Sequence, residues 1–352
     1  PEVSNWKRIP KRYVTMTLKP AKVSFIEFVA LMGLMTAMTA LSIDAALPAL
    51  GEIVHALKIT DSNDNQLIIS LLFAGMAIGQ ILYGPLSDSI GRKPSIYIGI
   101  LLFIIGCLFS IFSTDLSTML IGRFLQGLGA AGPRIVSMAL IRDLFEGREM
   151  ARVMSFIMTV FIFVPAIAPA FGELLLFLWD WEAIFVSFLV IAMLAIVWFG
   201  LRQEETLPRH SRVPFSLRHI FKSVKETCLN RTALGYTIAT GIIFGAFLGY
   251  LSSAQQIFQD AYKTGDAFAL YFGLLSIAIG LASFLNAHLV MRFGMRRISG
   301  YAINTITVVS ALFFIFAFAM DGLPPFYSFI LYGLIAFFCM GLLFGSISLV
   351  TL

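Results

Sequence analysis

Charged side chains are scarce in this sequence. Asp, Glu, Lys and Arg make up 13% of its 352 residues against 59% hydrophobic, too few to coat a water-soluble domain of that length. Cysteine is scarcer still. Cys107, Cys228 and Cys339 stand singly and far apart, which excludes a disulfide framework or a zinc site of recognisable spacing. Of the four histidines, His55, His210 and His219 fall in loops and His288 stands alone near a helix end. No nucleophile has a base beside it and no metal-ligand cluster emerges, so the residues for an intramembrane enzyme are missing.

What is abundant is apolar length. Mean hydropathy is +0.88, and runs long enough to cross a bilayer, about 20 residues each, fall near 25–50, 66–87, 94–113, 117–142, 150–176, 181–201, 232–256, 267–290, 298–319 and 326–350. The chain therefore reads as an all-α membrane protein with ten spans. Residues 1–24 carry Lys7, Arg8, Lys11, Arg12, Lys19 and Lys22. The apolar run behind them is too long for a signal-peptide core, so they read as a cytosolic tail.

Ten spans alternate the loops between two sides, and the basic residues are lopsided. With the tail lie Arg92 and Lys93, Arg142, Arg148 and Arg152, the group from Arg202 to Arg231, and Arg292, Arg296 and Arg297; the opposite loops hold Lys58 and Lys263. The positive-inside rule then places the N-terminus in the cytosol. The net charge of +5 points to a membrane surface and not to nucleic acid, because it is distributed between the apolar runs. The polar stretch 202–231 reads as a cytosolic linker between a bundle at 25–201 and a second at 232–352.

A repeat supports that division. Asp88-Ser-Ile-Gly91-Arg92-Lys93 after the second span is echoed by Met291-Arg-Phe-Gly294-Met-Arg296-Arg297 after the eighth. Spans two and eight are six apart, which implies two six-helix bundles in parallel arrangement, a transporter plan. Twelve spans are then expected, ten of them in this sequence, with the second bundle represented by its first four helices.

The fourth span carries the strongest anomaly. In Gly122-Arg123-Phe-Leu-Gln126-Gly127-Leu-Gly129-Ala-Ala-Gly132 a guanidinium sits inside an apolar helix, at a cost on the order of 3 kcal/mol near the bilayer middle. Arg134, eleven residues on, shares nearly the same helix face, and Gln126 lies close to it. Such a polar stripe is expected to line a cavity. Gly127, Gly129 and Gly132 would let a neighbouring backbone approach. Asp44, inside the first span, is a second intramembrane charge, able to take up a proton on one side and release it on the other or to pair with Arg123 or Arg134.

Five stretches together resemble the major facilitator superfamily, and within it the Bcr/CflA (bicyclomycin/chloramphenicol resistance) drug efflux group. They are Ile43-Asp44-Ala-Ala-Leu47-Pro48-Ala-Leu50, Gly84-Pro-Leu-Ser-Asp88-Ser-Ile-Gly91-Arg92-Lys93-Pro94, the Arg123 segment, Ile141-Arg142-Asp143-Leu-Phe, and Pro165-Ala-Ile-Ala-Pro169-Ala-Phe-Gly172. The resemblance implies the major facilitator fold and proton-coupled multidrug efflux from a bacterial inner membrane. No cofactor is implied. The expected partners are a small drug-like substrate, protons and the lipid bilayer, with the chain acting as a monomer. Export or import of a metabolite such as an amino acid or sugar is the alternative, since fold fixes neither cargo nor direction.

The resemblance also assigns residues. Asp44, Arg123, Gln126 and Arg134 would serve the substrate and proton cavity. Asp88 and Arg92, with Lys93, Arg142 and Asp143, would latch the cytosolic ends in the outward-open state, around a tight turn permitted by Gly84 and Gly91. Pro165, Pro169 and Gly172 would form the kink of the fifth span that antiporters use. Glu173 departs from the usual family pattern, which has a second glycine there.

Overall fold

The computed structural model describes residues 24–59 and 63–350; the basic tail at 1–23 lies outside them. Among the described residues the fold is helical, without strands. The helices are α1 (Phe25–Asp44), α2 (Leu50–Ala56), α3 (Asn65–Ile90), α4 (Arg92–Ile111), α5 (Leu116–Leu144), α6 (Gly147–Leu178), α7 (Glu182–Arg202), α8 (Leu217–Leu229), α9 (Arg231–Gln255), α10 (Phe268–Phe293), α11 (Met295–Ala319) and α12 (Phe326–Val350). Nine among the described residues are long and apolar enough to cross a membrane: α1, α3, α4, α5, α7, α9 with its extension to Ala261, α10, α11 and α12. The 32-residue α6 has a shorter apolar stretch, Phe163–Leu178, in place of the expected run over 150–176.

Two segments differ from the sequence expectation. The first span is not one helix to residue 50: α1 ends at Asp44, a turn covers 45–49, and α2 resumes the helix. Pro48 is the cause, because it has no N–H to continue the ladder. The break is held by shorter-range bonds from the Leu47, Ala49 and Leu50 amides to the Asp44, Ala46 and Leu47 carbonyls. The linker, expected as a polar connector, contains α8.

α5 packs most closely against α4 and α3. Glycine makes this possible: a Cβ on Gly127 would fall on the Leu72 carbonyl of α3, and one on Gly129 against the Phe103 amide of α4. In lipid, helix association rests on such close packing because the tails are as apolar as the side chains. α6 packs on α1 and on α10, so it joins the first set of spans (α1 and α3 to α7) to the second (α9 to α12). Where α9 ends in the π-helical turn Gln256–Ala261, Phe258 is buried among Phe268, Tyr271, Phe326 and Phe329.

Candidate functional site

Arg123 is fully enclosed, with no exposed surface. Its Nε donates to the Ile68 carbonyl of α3 at 3.1 Å, one terminal nitrogen to Gln126 Oε1 at 2.7 Å and the other to the Ser42 carbonyl of α1 at 2.8 Å. The Phe185 ring of α7 lies 5.7 Å from the guanidinium. Gln126, also without exposed surface, donates to Ser110 Oγ of α4. Arg123 and Gln126 are thus packed inside the first set and tie α1, α3, α4 and α5 together. Gly127 and Gly129 bring α3 and α4 close to α5 beside these residues. Arg134, partly exposed, lies eleven residues beyond Arg123 along α5.

Asp44, 5% exposed, sits at the break between α1 and α2. In the second set, Tyr250 of α9 has a buried hydroxyl with no hydrogen-bond partner among the described residues. Each set of spans thus buries one such polar group, a carboxyl in the first and a phenol in the second. Tyr250 was not anticipated, since one tyrosine in an apolar run carries no signal. Asp44 is not among the partners of Arg123, which are three neutral oxygens.

At the basic end of the spans, Arg92 is the hub. It donates to Asp88 at 2.5 Å, to Asp143 at 2.9 Å and to Ser87 Oγ at 2.8 Å. Thr206 donates to the same Asp143 oxygen that Arg92 Nε uses. The Lys93 ammonium donates to the Gly200 and Gln203 carbonyls at the end of α7, and Glu205 accepts from the backbone amides of Arg92 and Lys93. The connector continues across the α3 end, with Val213 N–H donating to the Asp88 carbonyl and Phe215 N–H to Ser89 Oγ.

Asp88, Arg92, Lys93 and Asp143 are therefore brought together, while Arg142 is exposed outside the network. Gly91, with φ +110°, makes the turn between α3 and α4. Gly84 makes none: it lies within α3, with open space where a Cβ would stand. The helix runs past Pro85 to Ile90, and the Ser87 hydroxyl donates to the Gly84 carbonyl. The partners contributed by Glu205 and the connector were missed, because backbone amides have no sequence signature. In the repeated loop Arg296 and Arg297 are exposed, so the two copies differ.

At the opposite end the two sets meet. Asn65 donates to Gln255 at 3.4 Å, Gln66 to Gln256 at 2.6 Å, and Gln256 back to Asn65 at 3.3 Å. The Glu173 carboxylate accepts from the Ala269 amide at the start of α10 at 2.9 Å. Pro165 and Pro169 lie within a continuous α6. A Cβ on Gly172 would meet the Ala45 carbonyl, so this glycine admits the α1–α2 break against α6. Among the described residues no group of three or more His, Cys, Asp or Glu is placed to hold a metal.

A family model described as Major Facilitator Superfamily matches residues 24–351. The bicyclomycin resistance protein homolog of Haemophilus influenzae is 31% identical over 258 residues, which cover 72% of this chain and 63% of that protein. The chain thus spans less than two thirds of that relative's length. The multidrug resistance protein MdtL of Shewanella oneidensis is 28% identical over 305 residues, 86% of this chain and 74% of the relative. Among solved structures, the crystal structure of a D-xylose-proton symporter is similar with a TM-score of 0.67 at 17% identity, covering 92% of this chain and 81% of that one; this likeness concerns the fold.

Proposed function

We propose, from the premise that this chain belongs to the Major Facilitator Superfamily, that it exports small amphiphilic drug-like compounds in exchange for protons. Its setting is a bacterial inner membrane, with the N-terminus and the basic end in the cytosol by the positive-inside rule. The observation that carries the reading is Asp44, a buried carboxyl at the break between α1 and α2. The names of the Haemophilus and Shewanella relatives support the choice of drugs as cargo.

In this reading the polar contacts joining Asn65, Gln66 and Glu173 to the second set close the outer side, and the chain faces the cytosol. A proton reaching Asp44 removes its charge. Because Asp44 ends α1 and is followed by a proline break, a change there is transmitted to α2 and to the α6 contact at Gly172. Rocking of the two sets against each other would then alternate access. Arg123 holds the Ser42 carbonyl two residues before Asp44 and so fixes the last turn of α1. The Arg92 network, formed here within the first set and its connector, acts as a clamp that keeps this set rigid while the other moves. No resident cofactor takes part; the proton gradient supplies the energy.

The test uses everted vesicles with the full-length protein, following gradient-driven accumulation of bicyclomycin, chloramphenicol and a cationic dye. Accumulation should be abolished by an uncoupler and by Asp44→Asn. Absence of accumulation of any of the three by folded, abundant protein overturns drug export, and sugars and amino acids become the next panel. Accumulation that survives Asp44→Asn removes Asp44 from the coupling path.

A further inference from the structure

α8 belongs to neither set of spans. Its exposed apolar side chains include Phe221 at 72%, Leu217 at 55% and Val224 at 47%. At 100° per residue Leu217, Ile220, Phe221, Val224 and Cys228 fall within about 100° of arc. Arg218, Lys222 and Lys225 follow along one flank of that row. The acid on this helix, Glu226, lies 3.8 Å from Lys222.

The ends of α8 fix where it runs. Just before it, Phe215 is bonded to Ser89 and Val213 to Asp88, at the basic end of α3. Just after it, Asn230 caps α9 by accepting from the Thr232 and Ala233 amides. Both ties are to the ends of membrane spans on the same side. A helix of 13 residues, about 20 Å long, joins them and must run along that surface.

We propose that α8 lies in the headgroup layer of the leaflet at the basic end, its apolar row among the acyl chains and its flanking cations on anionic headgroups. The chemistry selects this occupant over the others. The basic tail has six cations and would be repelled by Arg218, Lys222 and Lys225. A protein groove matching the apolar row would leave the flanking cations unmatched. An anionic bilayer surface satisfies both, since interfacial helices combine apolar burial with attraction of Lys and Arg to acidic lipids.

Cys228 supplies the probe, because it is exposed on the apolar row whereas Cys107 and Cys339 are buried. A nitroxide on Cys228 of the full-length protein is compared in vesicles of phosphatidylglycerol with phosphatidylcholine and in vesicles of phosphatidylcholine alone. In the anionic vesicles collisions with oxygen should exceed those with a water-soluble nickel chelate. Nickel access should rise severalfold in the neutral vesicles, at high salt, and in the Lys222→Glu, Lys225→Glu double variant. Both lysines are exposed, and an unchanged melting temperature verifies that the variant folds. A label open to nickel in anionic vesicles overturns the proposal, as does one shielded from both reagents, which would mean a protein cover. Equal depth in neutral and anionic vesicles overturns the recognition of charge.

Discussion

The two oxygens of Glu205 accept hydrogen bonds from the backbone amides of Arg92 and Lys93, at 3.0 and 3.1 Å, and so close the first turn of α4 from the connector. A helix start has amides without internal partners and a partial positive charge, and a carboxylate answers both. Gly91 is part of the same device, since at φ +110° it turns the chain and a Cβ there would collide with the Glu205 carboxylate. Replacement Glu205→Ala should lower stability by about 1–2 kcal/mol, the usual cost of a lost cap, with Glu205→Gln in between. Thermal unfolding in detergent measures both. A Glu205→Ala protein that melts with the parent would mean that the connector does not hold α4.

The Arg92 pairs separate burial from distance. Asp88 is the nearer carboxylate at 2.5 Å, but its side chain is 55% exposed, whereas Asp143 at 2.9 Å is 24% exposed. Water screens an exposed pair, which contributes about 0.2–1 kcal/mol; contacting groups in one network couple by about 0.5–3 kcal/mol. Double-mutant cycles should therefore give Arg92 and Asp143 the larger coupling energy. Arg92→Lys should behave like a loss, because an ammonium lacks the fork that reaches both acids. Equal couplings would show that distance and not burial decides.

These contacts mark what a sequence can and cannot announce. Apolar length located nine of the ten expected spans among the described residues, and Asp88 three residues ahead of Gly91-Arg92-Lys93 located the turn after α3. The acceptors of Arg123 were illegible, because two are main-chain carbonyls of Ile68 and Ser42; a buried guanidinium announced that partners exist, not which. Tyr250 was hidden among ten tyrosines. α8 was readable in principle, since Leu217, Ile220, Phe221 and Val224 keep helical spacing, but reading 202–231 for charge alone concealed it. Residue 84 misled in the other direction: a glycine in a recognised motif suggested a turn where the helix continues.

Glu52 of α2 gives a pH dependence with a definite sign. Partial desolvation of this exposed side chain and the negative charges of Asp180 and Glu182 raise its carboxyl above the usual value of 4.5. The folded chain then retains a proton that the unfolded chain has released, so stability falls as pH rises from about 4.5 through the raised value. Glu52→Gln removes the repulsion. Its melting temperature should exceed the parent's at neutral pH, with the difference shrinking toward zero as the buffer is taken below pH 4.5. A gain that is independent of pH would assign the effect to something other than this ionisation.

Gly84 and Gly127 should respond to the same substitution with opposite signs. Both are helical, yet a methyl on Gly127 would strike the Leu72 carbonyl, while none of the surrounding atoms comes within 4 Å of a methyl on Gly84. The first is backbone against backbone, so no side chain can turn aside and α3 must part from α5. Overpacking of that kind costs about 1–3 kcal/mol or more, and it would also disturb the Ile68 carbonyl that Arg123 holds. At Gly84 the change removes the conformational freedom of glycine from a helix interior, a gain of about 0.5–1 kcal/mol. Gly127→Ala should thus lower the melting temperature and Gly84→Ala raise it. If Gly84→Ala instead impairs transport while the fold holds, the glycine is required in another state of the cycle, where α3 must bend or be approached closely.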